Sequence, residues 1–248
     1  MIRSPLAQSF MASPNIEARA GDRRPDTIVL HYTGMESAAA ACAWLCNASS
    51  GVSCHYLVDG AGDIVQMVGE EMRAWHAGVS SWRGETDINT RSIGIEIQNP
   101  GHASGYPDFP DAQMRAVIAL CHDIGERHHI PPRNLVAHSD VAPARKIDPG
   151  EKFDWAHLHR DGVGHWVEPA AISDGPVLRL GDRSAAVAAL QAQLSGYGYG
   201  VSLESEFDIT TQNAVNAFQR HFRPARIDGI ADRSTVETLE RLVAALPD

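Results

Sequence analysis

Residues 137–150 have the sequence AHSDVAPARKIDPG, which places an imidazole, an ammonium group and a carboxylate within eleven residues. The prolines in this stretch interrupt regular structure, so its polar groups are predicted to lie on a loop that follows a buried strand. If the segment around Lys146 is extended, Lys146 and Asp148 point to the same side. His138 and Asp148 could then hold a metal ion while Lys146 reaches over it. Such a site needs a third protein ligand from elsewhere in the chain.

The third ligand is predicted to be His31, which follows the apolar strand at residues 27–30. Sites in α/β sheets form beyond the carboxyl ends of strands, and His138 also follows an apolar strand. With Asp148, the two histidines would give two nitrogen ligands, one oxygen ligand and an open fourth position, the pattern of catalytic zinc sites. The alternative is that both are hydrogen-bonded strand-end residues, since the chain has twelve histidines and therefore many possible triples.

The strand predicted at residues 92–98 alternates isoleucines with glycine and polar residues. Successive side chains of a strand point to opposite faces, so Glu96 is predicted to project away from the isoleucines. Gly94 beside it leaves room for another group to approach closely. Glu96 could be the base that deprotonates an attacking water, with Lys146 facing the oxyanion of the amide. The alternative is a glutamate that is merely exposed to solvent.

Five segments in a fixed order also carry a family resemblance: 29–33, 53–56, 74–78, 92–96 and 137–150. Together they resemble the zinc-dependent N-acetylmuramoyl-L-alanine amidases, whose superfamily also includes phage endolysins and peptidoglycan recognition proteins. The resemblance covers roughly residues 10–168. It implies an α/β fold in which helices flank a mixed central sheet.

The resemblance also implies an activity and a set of residue roles. The reaction would be hydrolysis of the amide bond between the lactyl group of N-acetylmuramic acid and L-alanine of peptidoglycan or muropeptides, in cell-wall turnover or recycling. One zinc ion per chain would be bound by His31, His138 and Asp148. Glu96 would be the general base, and Lys146 would stabilise the tetrahedral intermediate. Endolysin relatives lack the glutamate at position 96, so the acid/base role here would rest on Glu96.

Two other functions stay open at this point. The first is a non-catalytic muropeptide-binding protein on the same fold, which would be expected to have lost a zinc ligand or Glu96, whereas this chain keeps all four residues. The second is a zinc endopeptidase that cleaves within the stem peptide, from which the sequence discriminates poorly.

Three further residues are candidates for substrate binding. Arg145 could pair with a carboxylate of the stem peptide through its planar guanidinium, or it could be an ordinary surface arginine. Trp75 could line the cleft and Tyr32 could form its wall, although packing roles explain both equally well. Several other histidines are not predicted to be ligands. Two are expected to be structural, His55 and His76, and four to lie at the surface, His128, His129, His157 and His159.

Composition excludes some classes of partner. The 248 residues carry a formal net charge of −10 without a basic cluster, which argues against nucleic acid or an anionic membrane as the main partner. No apolar run is long enough for a membrane span, and residues 1–15 lack the apolar core of a signal peptide. The four cysteines fit a reducing cytoplasm as free thiols. The alternative is the periplasm, if an export signal is missing from this chain.

A change of composition near residue 160 predicts a second domain. We expect a catalytic domain at 1–168, a linker at 169–176 and a small three-helix bundle at 177–248. The bundle contains a weak internal repeat in two helices, and residues 178–230 are similar to the three-helix peptidoglycan-binding domain. It shows no catalytic constellation, so it is predicted to be a separate binding module. The expected partners are peptidoglycan and muropeptides, and no protein partner is predicted.

Overall fold

Most strands of the protein belong to one central sheet. The computed structural model describes residues 1–246 of the chain. The strands in that part are β1 Ser9–Phe10, β2 Ile16–Ala18, β3 Thr27–Tyr32, β4 Tyr56–Val58, β5 Ile64–Gln66, β6 Met72–Ala74, β7 Ser92–Ile97 and β8 Leu135–Ala137. Six of them form a sheet in the order β1-β5-β4-β7-β3-β8. Only the β4–β5 hairpin is antiparallel, so the sheet is mixed, as predicted.

The two strands that carry the predicted chemistry are neighbours in the middle of this sheet. The first four residues of β3 are at most 2% exposed, which confirms the prediction of a strand buried on both faces. The isoleucines of β7 face the main apolar core, so Glu96 lies on the opposite face. The parallel register pairs His31 directly with Glu96. The sheet alone therefore brings two of the five predicted catalytic and metal-binding residues side by side.

Helices cover the sheet and form the C-terminal region. They are α1 Ala38–Leu45, α2 Ile88–Arg91, α3 Asp111–His128, α4 His138–Val141, α5 Trp155–Arg160, α6 Ala185–Tyr197, α7 Ile209–Phe222 and α8 Arg233–Ala244. Short 3₁₀ turns lie at Ala20–Asp22, Ala48–Ser50, His102–Ser104 and Pro132–Asn134. The longest, α3, places Val117, Cys121 and Ile124 against the isoleucines of β7 in one buried cluster. The amphipathic helix predicted at 111–127 is confirmed to within one residue. Among residues 1–246, no helix is both long and apolar enough to cross a membrane.

The sequence predictions miss several short elements. Residues 1–24 show no periodic pattern, yet β1 pairs with β5 at the edge of the sheet, and β2 pairs with β6 in a separate two-stranded ribbon. Strands of two or three residues are too short to produce a recognisable alternation. His138 begins α4 rather than ending the strand before it, and His31 lies inside β3, one residue before its end.

The C-terminal bundle of α6, α7 and α8 shares an apolar core with the sheet-containing part. Trp82 from that part is buried, and its ring meets those of Tyr197 and Tyr199 edge to face at 5.9 and 5.2 Å. The backbone oxygen of Gly198 accepts a hydrogen bond from Arg83 N–H, and a Cβ at Gly198 would lie only 2.7 Å from the ring of Trp82. The boundaries at 168 and 177 stay predictions, but the bundle is packed against its neighbour rather than held at a distance from it.

Candidate active site

The three predicted metal ligands converge at the carboxyl edge of the central strands. His31 comes from β3, His138 from the first residue of α4, and Asp148 from the loop that follows. His31 Nδ1 lies 2.8 Å from His138 Nδ1, and Asp148 Oδ2 lies 3.2 Å from the first nitrogen and 3.0 Å from the second. All three residues are buried. The prediction that they assemble from distant parts of the chain agrees with this geometry, and the cluster could hold a metal ion.

The hydrogen bonds behind the histidines determine which ring nitrogens face the cluster. His138 Nε2 lies 3.2 Å from the carbonyl oxygen of Ala77, which can only accept, so Nε2 carries the proton. Ser92 Oγ donates to the Ile88 carbonyl and therefore accepts from His76 Nε2 at 3.1 Å. His76 is neutral, because burial and the nearby His31 place its pKa well below the usual value. Its Nδ1 must then accept the proton of His31 Nε2, 3.0 Å away.

The Nδ1 atoms of both rings therefore face the carboxylate of Asp148. Burial, and then the proximity of His138, lowers the pKa of His31 to about 4, so the ring is neutral near pH 7. Burial alone would raise the pKa of Asp148, but its contacts with His138 and then His31 outweigh burial and lower the pKa, so the carboxylate is ionised. Two imidazole nitrogens and a carboxylate oxygen that lie 2.8–3.2 Å apart are close enough to share one cation. Ligands of a tetrahedral zinc ion lie about 3.3 Å apart, so the donor set fits that ion.

Glu96 is the acidic group next to this cluster. It faces His31 across the β3–β7 pair, and its Oε2 atom is buried without a hydrogen-bond partner among residues 1–246. Burial raises the pKa of Glu96 well above the usual value, Asp148 raises it further, and Lys146 opposes the rise. A carboxylate that no donor occupies is available to take a proton from a water or a substrate in the cleft.

The glycine two residues before Glu96 has the role that the sequence predicted. A Cβ at Gly94 would lie 2.6 Å from the ring of His76 and 2.8 Å from Cys54 Sγ. The close approach that the glycine permits is thus that of the histidine behind the metal cluster. The thiol of Cys54 has a raised pKa because it is buried, so it is protonated and packs as an apolar group.

All eight predicted site residues line one open cavity of about 450 Å³: His31, Tyr32, Trp75, Glu96, His138, Arg145, Lys146 and Asp148. The guanidinium of Arg145 donates to the carbonyl oxygens of Ala77 and Val79, at 2.9 and 2.6 Å from Nη2. The hydroxyl of Tyr32 lies 3.1 Å from His102 Nδ1. The lining of the cavity therefore combines a cluster that could hold a metal ion with an acidic group and with cationic and aromatic side chains.

Sequence reasoning did not identify the groups that fix the ligands. His76 is structural, as expected, but its specific contact with His31 Nε2 was not predicted. The carbonyl of Ala77 serves both His138 and Arg145, and a backbone oxygen leaves no trace in residue identity. The resemblance of residues 74–78 was the one available signal that this loop lies at the site.

Comparison with known families gives the fold and the site a context. Residues 21–151 match the family described as N-acetylmuramoyl-L-alanine amidase, and residues 183–239 match a peptidoglycan binding domain. The chain belongs to the N-acetylmuramoyl-L-alanine amidase family. It is 38% identical to the amidase AmiD of Escherichia coli over 95% of its own length and 88% of the relative's. It is also 32% identical to the 1,6-anhydro-N-acetylmuramyl-L-alanine amidase AmpD of the same organism, over 59% of this chain.

Solved structures of this amidase family resemble the whole molecule. The complex of Escherichia coli AmiD with its substrate anhydro-N-acetylmuramic acid-L-Ala-D-γ-Glu-L-Lys has a TM-score of 0.76 at 37% identity and covers 92% of both chains. AmpDh3 of Pseudomonas aeruginosa, in complex with an anhydromuramic pentapeptide, has a TM-score of 0.74 at 30% identity and covers 94% of this chain and 96% of its own. The predicted fold, an α/β sheet with flanking helices followed by a helical bundle, is confirmed.

Proposed function

We propose that this amidase hydrolyses the bond between the lactyl group of N-acetylmuramic acid and L-alanine of the stem peptide. The observation that carries the proposal is the unpartnered carboxyl oxygen of Glu96 beside a metal-binding cluster in one open cavity. A non-catalytic binding protein would not need an acid with a buried, unpartnered oxygen, which costs free energy. Family membership favours the amide bond at L-alanine over one within the stem peptide.

We infer that the metal is zinc, held by His31 Nδ1, His138 Nδ1 and Asp148. Two imidazole nitrogens and one carboxylate with an open fourth position are the usual donor set of catalytic zinc, and the hydrogen bonds behind both rings support the assignment. Zinc would supply a Lewis acid that polarises the amide carbonyl and makes water easier to deprotonate.

The residues of the chain then divide the remaining chemistry. Glu96 Oε2 takes a proton from the attacking water, and the same carboxyl group returns it to the amine of L-alanine as the C–N bond breaks. Lys146 lines the cavity near the cluster, where its ammonium group stabilises the oxyanion that develops on the carbonyl.

Three further residues line the same cavity and complete the proposed substrate site. Arg145 pairs with a carboxylate of the stem peptide, although two carbonyls already hold its guanidinium. Trp75 and Tyr32 contact the sugar or the peptide along the sides of the cleft.

The proposed partners are peptidoglycan and muropeptides. The AmiD and AmpDh3 complexes contain anhydromuramoyl peptides, so such compounds are the soluble substrates that we propose for this chain. The bundle would hold the polymer, in line with the match over residues 183–239. The proposed compartment is the cytoplasm, with the periplasm as alternative. The free cysteines, three of them buried, support a reducing environment. Fractionation of cells that produce the native protein would test it.

A single experiment tests the activity and the metal together. The purified chain is assayed on a defined anhydromuramoyl tetrapeptide before and after chelation, with zinc content measured by elemental analysis and products by mass spectrometry. We expect one zinc per chain, release of an intact peptide that begins with L-alanine, loss of activity with chelator and recovery with added zinc. Cleavage within the peptide would instead support the endopeptidase, and binding without any product would support the non-catalytic protein.

A further inference from the structure

A buried aspartate holds the turn from which a metal ligand projects. Asp140 lies in α4, two residues after His138, and is 1% exposed. Its Oδ2 accepts a hydrogen bond of 2.8 Å from the backbone N–H of Ala137, the residue before the ligand. The carboxylate therefore closes the turn between β8 and α4 and fixes the direction in which His138 leaves the backbone.

Two of the three donors to this carboxylate come from the C-terminal bundle. The hydroxyl of Tyr199, just after α6, donates to Asp140 Oδ1 at 2.7 Å. His221 Nδ1, near the end of α7, lies 2.7 Å from Oδ2 and must donate, because the carboxylate can only accept. Both side chains are buried, and the ring of His221 is stacked on Trp155 at 3.7 Å. A buried carboxylate without such donors would be strongly disfavoured, so the bundle is needed to keep Asp140 in place.

The bundle also reaches the other end of the same loop. Glu151 follows the ligand Asp148 by three residues, and its carboxylate lies 3.5 Å from Arg220 Nε, the neighbour of His221 in α7. Glu151 Oε2 is also 3.2 Å from His102 Nε2, and His102 Nδ1 lies 3.1 Å from the hydroxyl of Tyr32 at the cleft wall. Adjacent residues of one helix thus contact both ends of the loop that carries two of the three ligands.

We propose that Tyr199 and His221 are positioning residues of the metal site, so that the C-terminal bundle sets the affinity of the catalytic domain for its metal. The inference rests on the proposed function for the identity of the metal. The bundle then has a role within the site in addition to holding the polymer. Outer-shell partners of metal ligands commonly change affinity 10- to 100-fold when mutated. Tyr199 and His221 act one step further out, through Asp140 and the backbone that carries His138.

The test compares two tyrosines that differ in their partner. Tyr199→Phe removes the hydroxyl on Asp140, whereas Tyr197→Phe removes one that contacts His165 Nδ1 at 3.0 Å. Both rings are buried and both contact Trp82. Each substitution therefore removes one hydroxyl from a similar apolar environment. Zinc affinity of the full-length proteins is measured by competition with a chromophoric chelator, and the rise in Tm on adding zinc is measured alongside. We expect Tyr199→Phe to weaken zinc binding about 10-fold and to reduce that rise, while Tyr197→Phe changes neither.

His221 provides a second, independent arm. His221→Ala removes the donor, and we expect a similar loss of zinc affinity. His221→Asn keeps an N–H group near the place of Nδ1 and should recover most of the affinity, which a purely structural role for the ring would not predict. If His221→Ala does not fold, Tyr199→Phe and His221→Asn still decide the question.

The outcomes separate this inference from the proposed function. If the unmodified protein binds no zinc and releases no peptide, the proposed function fails before any variant is compared. If it binds zinc and Tyr199→Phe binds as tightly as Tyr197→Phe, the positioning role is wrong and the proposed function stands.

Discussion

Two glutamates in this amidase have opposite surroundings. Glu96 lies in the cleft beside the cluster of His31, His138 and Asp148, and within the described part of the chain its Oε2 has no hydrogen-bond partner. Glu70 lies between β5 and β6, is 0% exposed, and accepts hydrogen bonds from Tyr56, Arg127 and His128. Burial raises the pKa of Glu96 well above the usual value. For Glu70 burial acts in the same direction, but the three donors outweigh it and lower the pKa to about 2.

Burial raises the pKa of both side chains, so the opposite outcome comes from their hydrogen-bond partners. A carboxylate surrounded by donors stays ionised and stabilises the fold, but it has no free lone pair to offer a substrate. A carboxylate without donors costs free energy in the folded state and remains available as a base. The comparison predicts different effects of substitution at the two positions. A change at Glu96 should abolish turnover without a loss of stability, and a change at Glu70 should lower stability without a loss of turnover.

The largest effect is expected for Glu96→Gln. Glutamine keeps the shape of the side chain but cannot take the proton of the attacking water, so kcat should fall by roughly 10²–10⁴-fold while zinc stays bound. The free energy of unfolding at pH 7 should not decrease, because the substitution removes a carboxyl group whose Oε2 is buried without a partner. Steady-state kinetics, zinc content and denaturant unfolding measure the three quantities. Normal turnover in this variant would contradict the mechanism.

Lys146→Ala is expected to have the next largest effect. Loss of a donor to the oxyanion costs about 3 kcal/mol in the transition state, which lowers kcat on the order of 10²-fold with little change in KM. The matched control is Lys152→Ala in the same loop, whose ammonium group pairs with Asp108 at 3.1 Å and does not line the cleft. An equal loss of kcat in both variants would show that activity depends on the positive charge of the loop in general and not on Lys146 in particular.

Glu70→Gln should reverse the pattern. The substitution leaves Arg127 and His128 without the carboxylate that they contact, and breaking such a buried pair costs about 3 kcal/mol in the free energy of unfolding. Activity per folded, zinc-loaded molecule should be unchanged. Glu126→Gln is the control. Glu126 lies in the same helix, α3, but its side chain is 74% exposed to solvent. A loss of turnover without a loss of stability would contradict the comparison.

The smallest effect concerns pH. The pKa of Glu70 is about 2 in the folded protein and near 4.5 in the unfolded chain, so its contribution to stability is complete above pH 4.5 and is lost as the pH falls towards 2. Between pH 7 and pH 3 the loss is about 2 kcal/mol. Denaturant unfolding at several pH values should show a shallower acid dependence in Glu70→Gln than in the unmodified protein. If the free energy of unfolding falls equally steeply with decreasing pH in both proteins, groups other than Glu70 control the loss of stability in acid.

The surroundings of Glu96 could be predicted from the sequence, whereas those of Glu70 could not. The strand around Glu96 has a strict alternation, and His31 follows a continuous apolar run, so their faces and neighbours could be derived from local pattern. The network of Glu70 joins residues that are 57 and 58 positions apart, and no local pattern encodes it. His128 was predicted at the surface, but its side chain is only 8% exposed, and its ring contacts Glu70. The roles of His76 and the Ala77 carbonyl likewise depend on contacts between distant segments.

The packed junction between the bundle and the sheet has a further consequence for how the amidase would meet a polymer. A module on a flexible tether lets the catalytic cleft sample a range of distances from the point of attachment. Here Ala170 is buried in the predicted linker and is hydrogen-bonded to Thr238 and Ser234 of α8, so the chain cannot swing freely there. If the bundle holds the wall as proposed, the cleft lies at one fixed distance from the held strand. The distance between the bound part of the polymer and the hydrolysed amide bond would then be constant, so the positions of the hydrolysed bonds would follow the spacing of the stem peptides along the glycan.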